Sequence, residues 1–158
     1  MNRVATAGVA LQAAKPDSVK SLRYKQSKLV QNERRNKVNI FVWIVQGLLA
    51  VFFALHGLAL ISPPEPVKVV FDALPFSRGF LVTIGILEVF GAIGLILPLA
   101  LRIQPMLTPL AAAGLTIIMI GAIVTHLIRG EVVQAIPSLI ITLLAAFVVY
   151  ARTILVPH

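Results

Sequence analysis

Apolar and polar positions in this chain alternate on the scale of whole helices. Residues 38–61, 79–98, 104–128 and 135–156 form four long, nearly unbroken apolar runs separated by short polar breaks. At about 1.5 Å of rise per helical residue, each run is long enough to cross the roughly 30 Å of bilayer hydrocarbon. The pattern predicts an all-α fold, a four-span transmembrane helix bundle. The break over residues 62–78 contains Pro63, Pro64, Pro66 and Pro75, which forbid a continuous helix between spans one and two. Val67, Val70, Phe71 and Leu74 nevertheless follow the i, i+3, i+4, i+7 rule, while Lys68 and Asp72 face elsewhere. That spacing suits a short interfacial helix across one mouth of the bundle, with an irregular surface loop as the alternative over so few residues.

The remaining breaks are tight. Residues 99–103 make a turn carrying Arg102, and Pro105 is expected in the first turn of span three. Thr125 and His126 close that span, Arg129-Gly130-Glu131 forms the next loop, and Pro137 is expected in the first turn of span four. Trp43 near the start of span one and Tyr150 near the end of span four are placed as interfacial anchors, and Arg152 is expected to snorkel to the far interface. Gly47, Ala50, Ala54 and Gly57 recur at helical spacing along span one, leaving one side narrow enough for another backbone to approach.

Residues 1–37 break this pattern. They hold nine of the fourteen basic residues, including Lys20, Arg23, Lys25, Lys28, Arg34, Arg35 and Lys37. Composition favours a solvated or disordered basic tail; the sharper alternative is an arm that docks on lipid headgroups or a partner subunit through those cations. An Asp17-Ser18 pair offers a cap to a weak helix carrying Val19, Leu22, Leu29 and Val30. The chain thus divides into a basic tail, 1–37, and a membrane domain, 38–156.

Net charge of +8 would ordinarily raise the question of nucleic acid, but a basic stretch abutting an apolar span is better explained by orientation and anionic lipid. Four spans place both termini on one side, where eleven basic residues face three on the other, Lys68, Arg78 and Arg129. Both termini are therefore expected in the cytoplasm, with the protein in a bacterial inner membrane. With 58% hydrophobic residues and a mean hydropathy of +0.94, the chain is not expected to be water-soluble. The absence of cysteine excludes disulfides and thiolate-held metal or iron–sulfur centres.

Against this background one residue stands out. Glu88 lies midway along span two, an expensive place for an acid unless a partner neutralises it. Gly85, Gly91 and Ala92 fall within about 60° of it around a helix of 3.6 residues per turn, so the carboxyl is expected to look inward. His56 and His126 both precede breaks at the same end of the bundle as Glu88's half, which makes them candidate members of a Glu–His proton site, with His126 the expected neighbour. A protonated packing residue is the structural alternative for Glu88. Two histidines on different helices also match haem ligation in outline, yet nothing else supplies propionate anchors. No phosphate loop, metal-spaced cluster or Ser/His/Asp set is present, so no metal and no required cofactor are expected. Nor is the chain expected to be an enzyme on its own.

The segments Gly85-Ile-Leu-Glu88-Val-Phe-Gly91-Ala-Ile-Gly94-Leu-Ile-Leu-Pro98 and Met119-Ile-Gly121-Ala-Ile-Val-Thr-His126-Leu-Ile-Arg-Gly130 resemble the DoxX-like family of small four-span membrane proteins. The resemblance covers roughly residues 40–150 and implies a four-helix membrane bundle associated with quinone-linked sulfur oxidation or with redox and oxidative-stress systems. It maps the family's intramembrane acid onto Glu88 and its third-span histidine onto His126. Many relatives carry a lysine where His56 stands here. The expectation is an accessory or structural subunit of a larger redox or energy-transducing membrane complex, in contact with other membrane subunits. The alternative is a quinone-linked oxidoreductase component that uses the Glu/His site. A small-solute carrier is disfavoured by the lack of broken helices or an inverted repeat.

Overall fold

The structure is a computed structural model that describes residues 16–156; the small-residue start at 4–14 and the bases Arg3 and Lys15 lie outside the described residues. Five α-helices follow in order: α1 (Pro16–Ile61), α2 (Glu65–Asp72), α3 (Arg78–Ala100), α4 (Leu107–Ile128) and α5 (Val132–Tyr150), the last running into a π-helical turn, Ala151–Leu155. No strand occurs among the described residues. Four of these helices are long and apolar enough to cross a membrane, and the protein is an integral membrane protein. Within the apolar runs their outward faces are mostly apolar, as in Ile44, Leu48, Phe90, Ile117 and Leu143, and suit contact with lipid chains.

The chain divides into two units, residues 1–38 and 39–158. The described part of the first is helical from Pro16, and Lys20 to Lys37 are exposed. From Pro16 onward the described part of the basic segment is helix. No glycine or proline occurs between Asp17 and Gln46, and the run is rich in Lys, Arg, Gln and Leu, which lose little rotamer freedom in a helix. Asp17 and Ser18 are both helical. Tyr24 lies under the Lys28 ammonium, 4.8 Å from ring centroid to Nζ.

In the second unit, one stripe of each helix faces the core. Val45, Leu49 and Phe53 of α1 meet Ala92 and Leu95 of α3, Ala112, Leu115 and Met119 of α4, and Ala145 and Val148 of α5. Small residues set how closely helices approach, because in lipid the association rests on packing and not on expulsion of water. A Cβ on Gly57 would stand 2.6 Å from the Gly85 carbonyl oxygen, and one on Gly85 would stand 2.6 Å from that of Gly57, so α1 and α3 cross backbone to backbone here. Gly47, at the other end of the same small-residue series, has nothing within 4 Å of such a position. The close approach is confined to one end.

Two boundaries differ from the expected ones. Arg102 and Gln104 adopt φ of 55° and 48°, a left-handed detour that delays α4 to Leu107, so Pro105 precedes the helix and Pro109 occupies its first turn. Helix α5 begins at Val132, three residues earlier than the sequence pattern indicates, which leaves Pro137 inside the helix. The interfacial helix forms as α2, with Pro66 in its first turn and Val67, Phe71 and Leu74 half-buried while Val69 and Val70 stay exposed.

Candidate functional site

Glu88 belongs to the inward stripe of α3, with Leu81, Gly85, Ala92 and Leu95, and it is fully buried. Its Oε2 lies 2.6 Å from His56 Nδ1, a short hydrogen bond with one proton between the two atoms. The glycine crossing explains the encounter. Gly57 is next to His56 and Gly85 is three residues before Glu88; the approach of the two backbones brings the imidazole within reach of the carboxyl. Any side chain at Gly57 would press on Glu88 Cβ, 3.1 Å away.

The two partners are not equally enclosed. The His56 side chain is 36% exposed, whereas that of Glu88 is 0% exposed. Phe52, one helical turn earlier on α1, stacks on the imidazole with ring centroids 5.7 Å apart and planes 7° from parallel. Phe71 of α2 meets the same ring edge-on at 6.3 Å. The interfacial helix thus supplies one wall of the site. The second carboxyl oxygen, Glu88 Oε1, is buried without a hydrogen-bond partner among the described residues. A buried acceptor left open is costly, and ligand positions and proton chemistry are among the reasons such an atom persists.

His126, the expected neighbour of Glu88, is held elsewhere. Helix α4 ends in a Schellman motif: Gly130, at φ 73°, donates to Leu127 O, and the Glu131 amide donates to His126 O at 2.9 Å. This reversal sets Glu131 Oε2 2.9 Å from His126 Nδ1 and Oε1 2.7 Å from Arg129. Hydrogen bonds from Arg129 and then His126 hold the Glu131 carboxyl below the usual carboxylate range. Arg129 also donates to the Ala73 carbonyl at the end of α2, and Arg78 donates to Leu60 O and Ile61 O at the end of α1. The loops at this end are therefore tied together around the His56–Glu88 pair. A glycine after a cation at a helix end was the available signal for the His126–Glu131 contact.

A second polar cluster was not anticipated as a site. Arg152 does not snorkel; it is 2% exposed, with Nε donating to Gln46 Oε1 at 2.7 Å and Nη1 to Asn39 Oδ1 at 2.6 Å. Gln46 in turn donates to Leu95 O at 2.6 Å. Trp43 covers the guanidinium face at 5.3 Å. Asn39, Trp43 and Gln46 lie at i, i+4 and i+7, a polar stripe on span one that is visible in the sequence.

The cations proposed for docking, Lys20, Arg23, Lys25, Lys28, Arg34, Arg35 and Lys37, are all exposed on α1. No group of three or more histidines or acids among the described residues is disposed to hold a metal. An apolar groove of about 550 Å³ runs between α3 and α4, along Phe90, Gly94, Pro98, Leu110, Gly114 and Ile117, with hardly any polar surface. Neither Glu88 nor His56 lines it.

Comparison with known proteins yields one match: the model of the DoxX-like family fits residues 44–148, a range that contains both Glu88 and His56. Searches of curated proteins and of solved structures found no match.

Proposed function

The chain belongs to the DoxX-like family, and on that premise we propose that it is a membrane subunit of a larger redox or energy-transducing assembly in which the Glu88–His56 pair handles a proton. One observation carries this reading: a fully buried carboxyl with one oxygen on a partly exposed imidazole and the other unpartnered among the described residues. A purely structural acid would be expected to use both oxygens. The redox setting comes from the family resemblance, and a quinone is the substrate class that fits it. Oxidation of a quinol releases two electrons, taken by a redox centre of the assembly, and two protons. Glu88 accepts one of them at its open oxygen and passes it to His56, which releases it to water through its exposed edge, and the pair, so reset, takes the second proton by the same route.

The remaining features fit a bacterial inner membrane with both termini in the cytoplasm and α2 on the opposite side. The exposed bases of α1 then face anionic headgroups or a neighbouring subunit.

A structural role, in which the pair only pins α1 to α3, is favoured by the glycine crossing beside it. Glu88→Gln separates the two. In the native assembly solubilised from membranes, the proton-handling role predicts that quinol-linked turnover falls at least about a hundredfold while the subunit still co-purifies. Unchanged turnover overturns the reading, and loss of co-purification assigns the pair to assembly.

A further inference from the structure

Arg152 is a buried cation without a counter-charge among the described residues. The close ion pairs of His56, His126 and Arg129 lie elsewhere, and none includes Arg152. Its two hydrogen-bonded neighbours, Gln46 and Asn39, are neutral, and its Nη2 is buried with no partner among the described residues. A guanidinium has five N–H donors in a rigid fork, and an isolated charge in a low-dielectric interior costs several kcal/mol or more, on the order of the full desolvation of an ion. Something of opposite charge belongs here.

Three further observations say what. The backbone at Arg152 is π-helical, with Val156 N donating to Ala151 O at 2.8 Å, and such turns gather at functional sites. The cluster also lies at the ends of spans: Asn39 stands at the start of the apolar part of α1 and Arg152 beyond the last α-helical residue of α5. This is nearer the headgroups than the hydrocarbon centre, since Arg152 stands three residues before the end of the fourth span at Leu155. Finally, the half-buried side chains Asn39 and Trp43 form the rim of the cluster, and both belong to the interfacial turn of α1. An indole at that position is at home beside lipid headgroups.

We propose that Arg152, with Asn39 and Gln46, is a binding site for the headgroup phosphate of an anionic phospholipid. The phosphate oxygens pair with the free Nη2 after a small outward shift of Asn39 or Trp43, and the acyl chains lie along the apolar outer faces of α1 and α5. Bidentate geometry makes arginine the suitable residue, and Gln46, itself anchored on Leu95 O, holds the fork in place.

The test uses the one tryptophan of the chain, Trp43, which sits on the guanidinium and so reads the site directly. The full chain in neutral detergent micelles is titrated with phosphatidylglycerol, phosphatidylcholine or inorganic phosphate at about 0.5 M salt, where attraction to the surface bases of α1 is screened. Phosphatidylglycerol is expected to change the Trp43 emission saturably, near one lipid per chain, and phosphatidylcholine to do so at least tenfold more weakly. Inorganic phosphate should leave it unchanged. Arg152→Lys, which keeps the charge and loses the fork, should weaken the phosphatidylglycerol response at least tenfold with helix content intact, and Arg152→Gln should abolish it. No saturable response, an equal response to inorganic phosphate, or a response unaffected by Arg152→Lys would each overturn the assignment.

Discussion

The two ends of this bundle bury opposite charges in opposite ways. At the α2 end, Glu88 is paired with a group that can itself become charged, His56, at 2.6 Å. At the other end, Arg152 is surrounded by neutral oxygens and one aromatic face. A carboxyl beside an imidazole can settle its charge by passing a proton across one hydrogen bond. A guanidinium remains charged at any accessible pH, so its surroundings must bring an anion or bear the charge. The first arrangement suits exchange and the second suits recognition.

The comparison can be broken from either side. The largest effect is expected from His56→Ala, which strands a buried acid: about 3–5 kcal/mol of stability, read from denaturant unfolding in micelles, with much of it regained when Glu88→Met is added. A double variant no more stable than His56→Ala would show that the pair is not the unit described here. Next is Gly57→Ala, whose new methyl meets the Gly85 carbonyl and Glu88 itself; a loss of about 1–3 kcal/mol is expected, together with weaker protection of the α1–α3 crossing in hydrogen exchange. Arg152→Met should cost less, no more than about 1 kcal/mol by the same unfolding measurement, because stranding two neutral acceptors is offset by removing a buried charge that has no counter-charge. A cost above that of His56→Ala would reverse the contrast.

The smallest effect concerns acidity. Because Arg129 and His126 hold the Glu131 carboxyl below its ordinary value near 4.5, its contribution is complete above that pH and is lost as pH falls through the lowered folded value. The protection factors of the Gly130 and Glu131 amides, with the intrinsic pH dependence of exchange divided out, should therefore hold at neutral pH and fall only in acid, and Glu131→Gln should remove the acid-dependent step.

Much of this was legible in the sequence, for reasons that differ by residue. Apolar runs long enough for a bilayer leave a chain few choices besides helices, so the spans and the inward direction of Glu88 follow from counting. The partner of Glu88 did not follow. His56 and His126 end their spans at the same side, and choosing between them needs two facts that periodicity does not contain: that Gly57 and Gly85 touch, and that Gly130 folds Glu131 back onto His126. Local acids compete for histidines and win when a turn delivers them. Arg152 was misplaced for a related reason. Snorkelling is the usual course for an arginine near a span end, and only Asn39 and Gln46, seven residues apart on another helix, draw it inward.

The mutual contact of Gly57 and Gly85 also bears on how this sequence can change over generations. Neither position can acquire a side chain while the other helix stays where it is, and moving the helix pulls His56 away from Glu88. The two glycines and the two titratable residues therefore form one inherited unit of four. Among relatives that keep a histidine opposite the acid, both glycines should be present together, and where a lysine with its longer reach replaces that histidine, the constraint on them should relax.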